Sequence, residues 1–261
     1  MAGTLSVAAD AGVVRVTLNH TGKFNAMSRA MWRGLRSVFT GIQRDASARC
    51  VVVQGQGGHF CAGGDIAEYA DFRFEEASLR DFHENDVWGG LQAMLDCDVP
   101  IIAQIEGNCM GAGVEIASCC DIRIASDSAR FGAPIAKLGF PMAPREAALV
   151  ARAVGELTAR EMLLTAAVLD AALMQQRGFL TQVVAAHGLD AAVAVVVDRM
   201  RPLAPQATRM NKQTFRALAP VRIDDNASDL IAKAYCYANS AEHVEGVTAF
   251  TEKRAPRFGG N

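Results

Sequence analysis

Two glycine-containing segments follow apolar runs that are typical of buried strands. The first run, residues 50–53 (CVVV), leads into a loop that ends at Gly64, and the second, residues 101–105 (IIAQI), leads to Gly111 and Ala112. Glycine lets backbone amides approach a ligand, and two amides aimed at one oxygen form an oxyanion hole. Because Gly111 and Ala112 open a predicted helix, their amides also lack intrahelical partners. The pattern indicates stabilisation of negative charge on a carbonyl oxygen.

Glu115 lies one helical turn after this second pair of residues. Its side chain therefore shares their face and leans toward the N-terminus of the helix. A carboxylate beside an oxyanion hole is what proton transfer at the carbon next to a carbonyl requires. Structural roles fit the same pattern, since glycine loops commonly form turns and a first-turn glutamate commonly complements the helix dipole. On pattern alone, both interpretations stay open.

The elements that must position these groups follow from the spacing of apolar residues. Alternation over residues 5–18, interrupted by an Asp-Ala-Gly turn, predicts a β-hairpin. Ser28 is expected to cap a helix that runs to about residue 42, and residues 76–95 have helical periodicity. We therefore predict an α/β protein, with a core over residues 1–200 and an all-helical region over residues 201–261.

The composition bounds the class of protein. The chain has 261 residues, 51% of them hydrophobic, and a net charge of −2, which favours a soluble globular protein and argues against nucleic acid as a partner. Its seven cysteines show no paired spacing, so neither a disulfide framework nor a metal site is expected. We see no signal peptide and no membrane-spanning run, and we expect a cytoplasmic location.

Several segments resemble the enoyl-CoA hydratase/isomerase (crotonase) superfamily, and they occur in the expected order over nearly the whole chain. In the first half they are VTLN at 16–19, NAM at 25–27, FCAGGD at 60–65, IEG at 105–107, GAGVE at 111–115 and CDIR at 120–123. In the second half they are FG at 131–132, LGFP at 138–141 and FTEKR at 250–254.

The resemblance implies a crotonase-like spiral of ββα units and a C-terminal helical trimerisation region, in homotrimers or hexamers. It also implies that the partner is an acyl-CoA thioester whose carbonyl oxygen lies between the amides of Gly64 and Ala112. No separate cofactor is expected, because coenzyme A is part of the substrate. The further substrate-binding residues that it implies are Ala62, Asp65, Ile135, Phe140, Phe250 and Lys253.

Three of these residues have particular expectations attached. Asp65 is expected mainly as the N-cap of a short helix. Phe250 and Lys253 of a neighbouring subunit are expected to border the nucleotide end of coenzyme A, where Lys253 would meet phosphate as a point charge. A solvated lysine at a helix end is the alternative for Lys253.

One position departs from the pattern of the hydratases, which use two glutamates. Glu115 matches the first, but Ile135 follows Pro134 where the second is expected. The one-glutamate isomerases generally keep the second acid, so the chain fits neither pattern. Three readings follow: a 2-enoyl-CoA hydratase in which Glu115 is the acid/base and another group, such as Glu146, is recruited; an isomerase or another enolate-forming enzyme; or a CoA-thioester binding protein with little catalysis.

Overall fold

The computed structural model describes residues 2–218 and 233–258. Its larger sheet has six strands in the order β1-β2-β3-β4-β6-β9, in which only the pair β1 and β2 is antiparallel. The strands are β1 (Thr4–Asp10), β2 (Val13–Asn19), β3 (Cys50–Gly55), β4 (Ile101–Ile105), β6 (Ile122–Ser126) and β9 (Gln182–Val184). The predicted hairpin is confirmed: β1 and β2 pair around Ala11 and Gly12, which both have positive φ.

A smaller sheet of three strands forms a second layer. Its order is β5 (Asn108–Met110), β7 (Arg130–Gly132) and β8 (Val168–Asp170). An isolated bridge between Cys61 and Cys109 extends this layer toward the first glycine-rich loop. Successive passes of the chain therefore place one strand in the large sheet, a short strand or bridge in the second layer, and then a helix, which is the ββα repeat that was expected.

Helices surround the two sheets. The first four are α1 (Arg29–Arg44), α2 (Glu76–Asp81), α3 (Trp88–Asp96) and α4 (Ala112–Ser118). The others are α5 (Pro144–Val154), α6 (Glu156–Thr165), α7 (Ala171–Gln176), α8 (Leu189–Met200), α9 (Pro205–Leu218) and α10 (Ala241–Thr251). Short 3₁₀ segments occur at Ile66–Asp71, Pro134–Leu138 and Ala186–Gly188. No helix in the described ranges is both long and apolar enough to cross a membrane.

The helix predicted over residues 76–95 contains an irregular turn. A π-helical segment, Phe82–Val87, joins α2 to α3. Such a turn inserts one extra residue and changes which side chains face inward, and it occurs frequently at functional sites. Here it buries Phe82, His83 and Val87, all three of which line the cavity described below, and His83 bonds to Glu146 of α5.

The helices after residue 200 pack onto the core in two places. In α9, Arg209 donates to the Asp45 and Ala48 carbonyls, and Arg216 pairs with Asp98. Helix α10 packs against the 3₁₀ segments Ile66–Asp71 and Pro134–Leu138. The C-terminal region thus contributes to the wall of the cavity described next. The boundary at residue 200 remains a prediction, and the trimerisation role falls partly on residues 219–232, outside the described ranges.

Candidate active site

The two glycine-rich loops lie side by side, and Gly64 and Ala112 both line one cavity of about 660 Å³. The Cys61 N–H donates to the Asn108 carbonyl at 2.8 Å, and the Met110 N–H donates to the Cys61 carbonyl at 2.9 Å. These bonds fix the loop before Gly64 against the loop before Ala112. Both residues line the cavity.

The local backbone leaves both amides available. The Met27 N–H donates to the Gly63 carbonyl and the Asp65 N–H donates to the Met27 carbonyl, so the N–H of the intervening Gly64 has no acceptor in the described ranges. Ala112 is the first residue of α4, where an amide has no intrahelical acceptor. The preceding Gly111 has a φ of 47°, a conformation that favours glycine.

Glu115 opens onto the same cavity from the first turn of α4. Its pKa is raised from the ordinary value of 4.5 to about 8, chiefly because burial penalises the charged carboxylate. The charge of Glu146 raises the pKa further, and the nearby Arg73 guanidinium opposes the rise. At neutral pH the carboxyl of Glu115 is therefore mostly protonated in the free protein, and a minor fraction of it is ionised.

Ile135 lies in the 3₁₀ segment Pro134–Leu138 and lines the cavity with an apolar side chain. Phe140, Met110 and Met142 are also in the wall, as are Trp32 and Val87. Among the described residues, the carboxyl groups that line this cavity belong to Glu115 and Asp65. Much of this wall is apolar, and of its two carboxyl groups only that of Asp65 pairs with a lysine.

Asp65 acts as an N-cap, as expected. Its carboxylate accepts from the Ala67 N–H and pairs with the Lys23 ammonium at 2.6 Å. The side chain of Asp65 is only 5% exposed, and its carboxylate is used by this cap and by this ion pair. Ala62, three residues before Asp65, also lines the cavity. Asp65 therefore orders the loop that carries Gly64 and Ala62.

Comparison with known proteins identifies the family. A sequence profile of the enoyl-CoA hydratase/isomerase family matches residues 8–261. The chain belongs to that family. It is 30% identical over 255 residues to a probable enoyl-CoA hydratase, echA8, of Mycobacterium bovis, covering 98% of this chain and 97% of that one. It is 28% identical over 254 residues to the mitochondrial methylglutaconyl-CoA hydratase of Mus musculus, covering 95% and 80% respectively.

Solved structures agree with the fold. An enoyl-CoA hydratase/carnithine racemase from Magnetospirillum magneticum superposes with a TM-score of 0.80 at 32% identity, covering 98% of this chain and 96% of that one. The crotonase fold that the sequence indicated is thus confirmed. The enoyl-CoA hydratase/isomerase family works on acyl-CoA substrates, which gives the amide pair and Glu115 a chemical context.

Within this family member, Phe250 and Lys253 line the cavity from their own chain. Helix α10 packs on the 3₁₀ segments of the same chain and brings both residues to its cavity, and their expected contribution from a neighbouring subunit stays a prediction. Phe250 is 55% exposed, which suits a position at the mouth. Lys253 stands there with Lys23 and Lys137, so three ammonium groups line the cavity.

Glu146 does not line the cavity, contrary to its suggested role as a replacement carboxylate. It lies in the first turn of α5 and is 2% exposed. Its Oε1 is 3.1 Å from Nδ1 of His83, and His83 is the residue that reaches the cavity wall. Burial lowers the pKa of His83, although the bond to Glu146 opposes this, so the imidazole is neutral. Glu146 thus supports a neutral histidine in the cavity wall.

Arg73 is the second residue that sequence reasoning missed. Its side chain is 1% exposed, yet it forms part of the cavity wall. The guanidinium carbon lies 4.1 Å from the ring centre of Tyr69 and 4.0 Å from that of Phe140. Nη2 is 3.2 Å from the Tyr237 hydroxyl and 3.5 Å from Nε2 of His83. An arginine is therefore held between two aromatic rings beside the carboxyl of Glu115.

Tyr69 connects this arginine to the amide pair. Its hydroxyl occupies the space that a Cβ on residue 64 would take, and its ring lies against Arg73. Burial raises the pKa of Tyr69, so the phenol stays protonated at neutral pH. One aromatic side chain thus spans from Gly64 to the guanidinium, so a single residue separates Arg73 from Gly64.

Two other side chains near the glycine-rich loops have structural surroundings. Cys61 is fully buried, and burial raises its pKa to about 12, so it is not a thiolate nucleophile. His59 accepts a hydrogen bond at Nδ1 from the Asn108 N–H and packs on Phe24. Both residues therefore support the loops rather than the chemistry.

Proposed function

We propose that this acyl-CoA enzyme stabilises an enolate at the amides of Gly64 and Ala112 while Glu115 moves the proton. The nominal reaction is the hydration of a 2-enoyl-CoA. The observation that carries the proposal is the position of Glu115: a carboxyl with a pKa of about 8 shares one largely apolar cavity with two unpaired amides. A pKa near the working pH suits a group that must both accept and return a proton.

In the hydration, ionised Glu115 accepts a proton from water as the water oxygen bonds to the β carbon of the enoyl group. The electrons of the double bond move onto the thioester oxygen, where the amides of Gly64 and Ala112 stabilise the negative charge. Glu115 then returns a proton to the α carbon, so that water has been added across the double bond. Because Ile135 cannot bind a proton, one carboxyl performs both transfers.

Double-bond isomerisation is the second candidate, and Ile135 favours it. Isomerisation removes a proton from the α carbon and returns one to the γ carbon, with no water to activate. A single carboxyl suffices for this exchange, and an apolar residue opposite would exclude water. The amide pair has the same task in both reactions, because both pass through an enolate.

Two parallel assays test the proposal. One follows the loss of the conjugated absorbance of crotonyl-CoA, and the other follows the gain of that absorbance from a 3-enoyl-CoA. We expect turnover in the first, with the second as the alternative. Glu115→Gln is expected to lose turnover by roughly 10²-fold or more while acyl-CoA affinity is largely retained.

The matched control is Glu242→Gln, which neutralises an exposed glutamate on α10 and is expected to leave turnover unchanged. Full activity in Glu115→Gln would remove Glu115 from the mechanism. If the wild-type protein binds acyl-CoA but catalyses neither reaction, it is a CoA-thioester binding protein.

We further propose that the protein works in the cytoplasm as a homotrimer or a hexamer. The support is a group of apolar side chains on and after α6 that face solvent: Leu157, Leu164 and Val168 are 83%, 77% and 49% exposed. Burial of such side chains against another copy is a favourable source of assembly energy. Light scattering coupled to gel filtration measures the mass directly, and a monomer would contradict the proposal.

A further inference from the structure

Arg73 has an unusual balance of partners for a buried cation. Its Nε is buried and has no hydrogen-bond partner, and the described residues supply no carboxylate that pairs with the guanidinium. The bonds at Nη2 go to neutral acceptors, the Tyr237 hydroxyl and Nε2 of His83. A buried charge is costly unless it is paired, so this arrangement leaves an unmet demand for an anion.

The acidic groups near Arg73 do not meet that demand. Glu146 is bonded to Nδ1 of His83, which places the imidazole between that carboxyl and Arg73. Glu115 has a raised pKa and is mostly neutral at pH 7. The remaining titratable groups around Arg73 are Tyr69, Tyr237 and His243, none of which carries negative charge at neutral pH.

The surroundings hold the guanidinium in place rather than neutralise it. Tyr69 and Phe140 cover its two faces, and cation–π contacts of this kind partly offset the loss of hydration. The ring contacts leave the edge of the guanidinium, which carries Nε–H, for an in-plane acceptor. Because Nη2 already has two acceptors, a carboxylate would bind the guanidinium through a charge-assisted hydrogen bond from Nε–H.

The location of this edge identifies the ligand. Arg73 lines the cavity beside Glu115 and is separated from Gly64 by the single side chain of Tyr69. A group that reaches Arg73 while the thioester oxygen occupies the amide pair must belong to the acyl chain. The coenzyme A phosphates lie at the other end of the ligand, and the exposed ammonium groups of Lys137 and Lys253 are available to them.

We propose that Arg73 binds a carboxylate on the acyl group, so that the substrate is the monothioester of a dicarboxylic acid. This inference rests on the proposed function, since it assumes that the thioester lies at Gly64 and Ala112. It narrows that function to one substrate class. The carboxylate completes the hydrogen bonds of Nε and neutralises the only buried cation in the described wall of the cavity.

The test compares ligands of equal shape and different charge by calorimetric titration of the full-length protein. Glutaryl-CoA is paired with 5-methylhexanoyl-CoA, and malonyl-CoA with 3-methylbutanoyl-CoA; in each pair an isopropyl group replaces the carboxylate. We expect at least one carboxylated ligand to bind about tenfold or more tightly than its partner, the size of a charge-assisted hydrogen bond. The better pair reports the distance from the thioester to Arg73.

Two variants locate the effect. Arg73→Met is expected to abolish the preference for the carboxylated ligand while the uncharged ligand keeps its affinity. Arg73→Lys is expected to retain part of the preference, because lysine keeps the charge but lacks the planar guanidinium donors. Arg152→Met, which removes an exposed arginine on α5, is the control and should leave the preference unchanged. If Arg73→Met does not fold, the lysine variant and the wild-type pairs still decide the question.

The outcomes separate the two proposals. Equal affinity within both pairs in the wild-type protein, or a preference that survives in Arg73→Met, overturns the inference and leaves the proposed acyl-CoA chemistry standing. Failure of all four thioesters to bind overturns the proposed function and the inference with it.

Discussion

Replacement of Glu115 by glutamine should change how stability depends on pH. The folded protein holds this carboxyl with a pKa of about 8, whereas the unfolded chain has the ordinary value of 4.5. Between these values the folded state binds more protons than the unfolded state, so the contribution of Glu115 to the free energy of unfolding falls as pH rises. Glutamine has no proton to lose, so Glu115→Gln lacks this dependence.

The magnitude follows from the two values. The difference between 4.5 and about 8 corresponds to about 5 kcal/mol at roughly 1.4 kcal/mol per pH unit. About 4 kcal/mol of this is lost between about pH 5 and pH 8.5, because the unfolded carboxyl already titrates in part at the lower pH. Glu115→Gln should therefore gain up to about 4 kcal/mol of stability relative to wild type across that interval.

Guanidinium chloride unfolding at constant ionic strength measures this difference. Wild type, Glu115→Gln and the exposed-site control Glu242→Gln are compared at a series of pH values, so that the titration of all other groups cancels between proteins. The gap between wild type and Glu115→Gln should widen with pH, and the gap between wild type and the control should not. A constant gap for Glu115→Gln would show that the carboxyl is ionised in the folded protein at neutral pH and would refute the burial argument.

Three further predictions concern the cavity. If Glu115 acts as the base in hydration, kcat/KM should rise with pH and level off near pH 8; a fall above that pH would assign Glu115 the role of an acid and contradict the hydration mechanism. Ile135→Glu should raise the hydration rate by about tenfold or more, since a positioned carboxylate can contribute roughly 10²-fold or more. The control Ile135→Gln should not raise the rate. An unchanged rate in Ile135→Glu would mean that the lack of a second carboxylate does not limit hydration at this site. Gly113→Ala should lower the free energy of unfolding by about 1–3 kcal/mol, and with it the denaturation midpoint, because the new Cβ would lie 2.6 Å from the Cys61 carbonyl oxygen. An increase in that midpoint, as expected for alanine in an unobstructed helix, would show that the two loops are not packed as described.

The parts of the site that the sequence predicted are encoded over short distances. Gly64, Ala112 and Glu115 each follow a predicted strand within 11 residues, and Ser28 and Asp65 are caps whose partners lie within three positions. Strand alternation and helix capping act locally, so they can be read without knowing the fold. The amide pair was predictable because both of its loops follow the same local rule.

Arg73 and His83 could not be found in this way. Arg73 lies after the 3₁₀ segment Ile66–Asp71, where no periodicity marks a buried position, and its rings come from Tyr69 and the distant Phe140. His83 meets Glu146 across 63 positions of sequence. These contacts depend on tertiary packing, and the residues next to Arg73, Phe72 and Phe74, do not by themselves predict that a guanidinium is buried there.

One local signal for the irregular helix was nevertheless present. Of Leu79, Phe82, Val87, Leu91 and Leu95 in the predicted helix, successive residues are three or four positions apart except Phe82 and Val87, which are five apart. A spacing of five matches the π-helical segment that the structure contains there, and this segment turns His83 into the interior. The five-residue spacing therefore coincides with the π-helical segment that lines the cavity.

Arg73 and Glu115 are coupled, and this coupling joins substrate choice to chemistry. The positive charge of Arg73 currently lowers the pKa of Glu115, opposing the effects of burial and of Glu146. A substrate carboxylate bound to Arg73 would cancel that charge and add a negative charge nearby, so it would raise the pKa of Glu115 in the complex. The pH dependence of kcat, which reports the enzyme–substrate complex, should therefore lie at higher pH for a carboxylated enoyl-CoA than for crotonyl-CoA. The two profiles would coincide if the acyl chain did not reach Arg73, and Arg73→Met should bring them together if it does.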